Sequence, residues 1–81
     1  MTALATITQL RSYLAALEES DEVPRLDIQW LRLRCEDTLR LSAPLQRDSI
    51  RQLQKDVSNF AGEFPGLIPP ALVEDICEID L

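Results

Sequence analysis

The chain has no histidine, two glycines, two cysteines, one tryptophan, one tyrosine and two phenylalanines in 81 residues. Each scarcity removes a class of chemistry. Without histidine, general acid–base work would fall to carboxylates, thiols, Lys55 or Tyr13. The neighbouring acids Glu18–Glu19, Asp21–Glu22 and Glu74–Asp75 read instead as solvated turns and helix ends. Two glycines cannot build the glycine-rich loops that cradle phosphates. Cys35 and Cys77 are far apart, form no CxxC pair and cannot fill a tetrahedral zinc site. We therefore expect no enzymatic activity, no cofactor and no metal. The cysteines are expected to be small buried or half-buried apolar residues, with a disulfide or a dimer-linking thiol as the alternative. No apolar run approaches the ~20 residues that span a bilayer, and no basic segment leads into an apolar stretch at the N-terminus. A cytoplasmic protein with no membrane association is expected.

What is present is a folding sequence. Hydrophobic residues make up 46% and charged residues 27% of the chain, a globular balance. One domain, 1–81, is expected. Its size lets it bury only roughly 60% of its unfolded surface, which leaves stability marginal unless it oligomerises or binds a partner.

Apolar spacing points to an all-α fold. Ala3, Ile7, Leu10, Leu14 and Leu17 form a helical stripe, with Thr2 available as N-cap and Leu4 and Tyr13 widening the face. The stripe stops before Pro24. Leu26–Leu41 has two periods. Leu26, Ile28 and Trp30, then Leu31, Leu33 and Cys35, alternate as in a strand, whereas Ile28, Leu31, Cys35 and Leu39 recur as in a helix. We read it as a helix capped by Asp27 and braced by Arg32–Glu36 and Glu36–Arg40 pairs, since a lone strand would have no partner. Trp30 and Leu33 lie off its main stripe. Such a broad apolar surface predicts burial on more than one side or contact with a partner.

Ile50, Leu53, Val57 and Phe60, extended by Phe64, make the cleanest helical face in the chain. Ser42 and Pro44 open that helix and it runs to about Glu63. A short last helix follows Pro69–Pro70, with Leu72, Val73, Ile76 and Ile79 at helical spacing. Its end carries Glu78 and Asp80, which the helix dipole disfavours, so fraying is expected. The predicted architecture is an up-down bundle of three helices plus a short C-terminal helix.

Charge is distributed in blocks: net −3 over residues 1–24, +3 over 25–55 and −6 over 56–81. Arg47, Arg51 and Lys55 stand at i, i+4 and i+8, a basic ridge away from the apolar stripe of the third helix. Nucleic acid is disfavoured as a partner by the pI near 4.4 and the few aromatics. The ridge reads as a solvated flank or as a docking surface for an acidic protein partner.

Two local patterns carry resemblances. Phe64, Ile68, Pro69, Val73, Glu74, Ile76 and Ile79, with Asp48-Ser49-Ile50 upstream, resemble acyl carrier proteins, whose Asp-Ser-Leu serine bears phosphopantetheine. That resemblance implies a carrier modified at Ser49. It departs from the family in placing Arg51, Gln52 and Lys55 where an acidic recognition helix is expected, and no glycine precedes Asp48. Leu72, Ile76, Ile79 and Leu81 are spaced similarly to leucine-rich nuclear export signals. The simpler reading is a short helix closing the core, and between the two lies a detachable acidic and apolar peptide for a partner groove.

The function expected from the sequence is a non-enzymatic protein–protein interaction module: a small acidic adaptor, inhibitor or regulator of bacterial or phage type. Its expected contact residues are Trp30, Leu33, Arg47, Arg51, Lys55, Leu72, Ile76 and Ile79. The alternative is a self-assembling structural helical protein, such as a homodimer, whose first and third helices pair between copies.

Overall fold

The computed structural model describes residues 2–80 and contains four helices: α1 (Ala3–Leu17), α2 (Arg25–Arg40), α3 (Leu45–Glu63) and α4 (Pro70–Cys77). No strand occurs among the described residues. The double period of α2 resolves as a helix because Ile28, Leu31 and Cys35 can all be buried on one side of it. A strand there would leave its backbone groups without a ladder.

Local chemistry sets the helix ends. The Thr2 hydroxyl accepts the Ala5 N–H at 3.1 Å and caps α1. Helix α2 starts directly after Pro24 with no side-chain cap, so Asp27 is not its N-cap; it lies in the first turn, where a carboxylate complements the helix dipole. Arg32 pairs with Glu36 as expected, but Arg40 reaches Asp37 (3.8 Å) instead of Glu36. Arg32 engages Glu36 and Glu18 together, so Glu18 ties the end of α1 to α2 and is not merely solvated. The Glu18 hydrogen bond is the main cause that raises the Arg32 pKa. Between α3 and α4 the chain turns at Gly66, whose φ of +83° favours glycine.

The helices form a ring in which α1 packs on α2, α2 on α3, α3 on α4 and α4 on α1. Ile7, Leu10 and Leu14 of α1, Ile28, Leu31 and Cys35 of α2, Leu53, Val57 and Phe60 of α3, and Leu72 and Ile76 of α4 meet inside it. Leu4 stays exposed, while the half-buried Tyr13 donates its hydroxyl to the Leu67 carbonyl (3.1 Å), tying α1 to the α3–α4 connection. The apolar stripes of α1 and α3, expected in the self-assembly reading to pair between copies, are consumed within one chain.

The acidic end of α4 has a support that its own sequence does not show. The Gln54 side-chain amide donates to the carbonyls of Ile76 (3.0 Å) and Ile79 (3.1 Å), so α3 adds a donor to backbone acceptors at and just past the end of α4. Gln54→Ala is expected to lower stability by about 1 kcal/mol in urea unfolding, with the loss concentrated in faster amide exchange around residues 74–79. Unchanged exchange there would assign the hold on α4 to its apolar contacts alone.

The cysteines differ in a way the sequence did not reveal. Cys35 is buried, whereas Cys77 is exposed, against the expectation for both, and both are free thiols. Burial, aided by the Glu36 charge and opposed by Arg11, pushes the Cys35 thiol from 9.0 up to about 12. A folded-state pKa raised in this way leaves the contribution of Cys35 to stability intact below pH 9. That contribution is lost as pH climbs from about 9 to about 12, because the unfolded thiol ionises first. A thiol-reactive dye at neutral pH should therefore titrate Cys77 alone, with Cys35 reacting only after denaturation.

Candidate docking surface

Helix α2 uses one side for the core and leaves another bare. Leu26, Trp30 and Leu33, at i, i+4 and i+7, are 80%, 51% and 46% exposed, and Leu41 and Leu45 are exposed beyond them. Three large apolar side chains at helical spacing on a bundle whose core is already filled form a surface that water covers at a cost. The helical period that buries Ile28, Leu31 and Cys35 necessarily turns 26, 30 and 33 outward.

Trp30 is held in a defined place. The Arg34 guanidinium carbon lies 5.1 Å from the centre of its ring, and Arg34 Nε stands 3.4 Å from Asp56 Oδ2 on α3. Trp30 also lines an open cleft between α2 and α3 with Asp27, Asp56, Asn59, Phe60, Glu63 and Phe64. Phe60 and Phe64 form the aromatic wall, with ring centres 5.1 Å apart and planes tilted by 49°. Its charged surroundings are thus acidic, apart from Arg34.

The other expected contact residues lie elsewhere. Arg47, Arg51 and Lys55 are exposed on α3, and Arg51 makes a loose contact with Asp48 (3.9 Å). Arg51 and Lys55 border a shallow depression with Gln54, Ser58 and Asn59, on the flank of α3 where Gln54 reaches α4. Trp30 lines the neighbouring cleft on the α2 side, where Asp56 reaches α2, and Asn59 borders both depressions. Trp30 and the residues Arg51 and Lys55 of the basic ridge thus line separate depressions that meet at Asn59.

Leu72 and Ile76 are buried in the core and are not a surface of the folded bundle, whereas Ile79 is half-buried and lines an open depression with Ala3 and Thr6 of α1. The short α4 has too few residues to make an independent helix and is held by these same side chains. The fourth apolar position of the export-like pattern, Leu81, lies outside the described residues.

Ser49 is half-buried in the second turn of α3, and its hydroxyl lies 2.6 Å from that of Thr38 on α2. Thr38 in turn donates to the Arg34 carbonyl (2.8 Å), which leaves Ser49 as the donor of the pair. This hydroxyl chain satisfies the wholly buried Thr38 and ties α2 to α3. In the folded bundle Ser49 is a packing residue and not a freely presented one.

No family model matches the chain, and neither a curated protein nor a solved structure is similar to it. Among the described residues, no helix is long and apolar enough to cross a membrane, and no group of three or more acidic or cysteine side chains is placed to hold a metal ion.

What sequence reasoning missed at this surface is Leu26 and the acidic cleft. Leu26 was visible, four residues before Trp30. Asp56, Phe60, Glu63 and Phe64 could not be assigned to the surroundings of Trp30 without knowing which flank of α3 faces α2.

Proposed function

We propose that this protein is a non-enzymatic binding module that docks stoichiometrically on another protein through the exposed face of α2. The observation that carries this reading is the Leu26–Trp30–Leu33 stripe, bare on a bundle whose core is closed without it. Tryptophan is a frequent interface anchor because one rigid side chain covers a large apolar area at little entropic cost. An acidic rim beside it supplies orientation and selectivity. An adaptor, an inhibitor and a regulator would all use such a face.

The test is capture of stoichiometric partners by the tagged full chain, run beside Trp30→Ala and Leu33→Ala forms. A partner retained by the wild type and released by both variants supports docking through α2. A stoichiometric partner held equally well by all three places the contact elsewhere and refutes it.

A further inference from the structure

From the cleft between α2 and α3 we infer the chemistry of the docked partner: it presents a lysine or arginine side chain, next to an apolar helix face, that enters between Trp30 and Glu63. The inference rests on the docking reading above and adds the partner's charge to it.

Three independent features of the cleft favour a cation. The first is charge. Asp27, Asp56 and Glu63 line it, Arg34 at its edge pairs with Asp56 alone of these acids, and the chain from residue 56 onward contains no cation. Asp56 is already engaged, with Oδ2 3.4 Å from Arg34 Nε and Oδ1 accepting from the Gln52 side-chain amide (3.1 Å), so the exposed Asp27 and Glu63 are the acids open to an incoming cation. Two exposed carboxylates beside the indole favour a cationic partner group over an anionic one by charge complementarity. The second feature is aromatic. Trp30, Phe60 and Phe64 supply ring surface, and Arg34 already shows a guanidinium accommodated against Trp30 beside Asp56. The third is the backbone. Glu63 ends α3, and the carbonyl end of a helix is the negative pole of its dipole.

The size of the cleft and its surroundings select the occupant. Its volume of about 190 Å³ is below the roughly 300–1,000 Å³ of small-molecule pockets, which suits one side-chain head group. The carboxylates are not clustered for a metal ion. Leu26 and Leu33 continue the surface along α2 from Trp30, so a partner segment can lay apolar residues on the stripe while its cation reaches the cleft. A basic amphipathic helix has that pattern, and an acidic one would place like charges against Asp27 and Glu63.

Trp30, the sole tryptophan, is the built-in reporter. The full chain is titrated with two synthetic tryptophan-free amphipathic helices that share a leucine face and differ only in lysine or glutamate flanks. The lysine peptide is expected to shift Trp30 emission saturably, less so at raised ionic strength, and the glutamate peptide to leave it unchanged. Asp27→Asn and Glu63→Gln, both at exposed sites and checked for unchanged helicity, should each weaken the lysine peptide by about two- to fivefold. Failure of the lysine peptide to bind, or indifference of its binding to both neutralisations, overturns the inference. Equal binding of the two peptides that is lost in Leu33→Ala overturns it while leaving the docking reading standing. Emission that changes with the chain's own concentration would assign the face to a second copy and overturn it as well.

Discussion

Trp30→Ala is expected to leave the bundle folded and to weaken partner binding by about thirtyfold or more, the result of removing an anchor worth about 2 kcal/mol. The two halves of this expectation have separate causes. Trp30 is 51% exposed and fills no space among the core residues, so its truncation opens no closed cavity. What the free protein loses is the contact with Arg34, worth about 0.5–1 kcal/mol at an exposed site. The complex loses much more, because the ring belongs to both the apolar stripe and the wall of the acidic cleft. Lys55→Ala is the informative companion. Lys55 belongs to the basic ridge, which borders a separate depression from the Trp30 cleft, and its removal should leave affinity unchanged. Circular dichroism checks the fold and titration calorimetry the affinity. A strong Lys55 effect beside a silent Trp30 would move the interface to the ridge.

The second large effect concerns α4. Ile76→Ala is expected to destabilise the fold by about 2–5 kcal/mol, the range for truncating a fully buried isoleucine. Ile76 is 0% exposed and lies in the same core as Ile7, Leu53 and Leu72. A chain of this length has only about 4–12 kcal/mol of stability in total. The melting temperature should fall by about 10 °C or more, and a cooperative thermal transition followed by circular dichroism would register it. The experiment also decides how α4 behaves. If α4 were a detachable peptide waiting for a partner groove, Ile76→Ala would scarcely change the melting of the other three helices. A closing helix of the ring, packed on both α3 and α1, must report the loss globally.

The same contrast between α4 and α2 explains what could be read in advance. Helix periodicity is local, because residues three and four apart share a face whatever the helix later packs against. The stripes of α1 and α3 therefore appear in the structure as read, as do the Thr2 cap and the break at Pro24. The all-α bundle follows from them, since apolar stripes of that width must be buried against one another. The absence of histidine and the scarcity of glycine are also properties of the chain alone, and they limit the available chemistry before any folding is considered.

Contacts between helices were beyond the sequence, because they depend on the rotation of each helix about its own axis and on which neighbour it meets. Sequence spacing identified Trp30 and Leu33 as surplus apolar residues on α2. Only the tertiary structure decided that the charged neighbours of Trp30 are Arg34, Asp27, Asp56 and Glu63 and that Arg51 and Lys55 border a separate depression. It likewise sent Glu18 to Arg32, turned Ser49 toward Thr38, and set Gln54 under the end of α4. Each of these links spans separate helices. Sequence by itself determined the helices, their apolar faces and the chemistry the chain lacks, since those depend on covalent neighbours within a few turns. Packing decided which leftover faces coincide, and so gave the exposed tryptophan an acidic cleft, because side chains distant in sequence become neighbours only when the ring of helices closes.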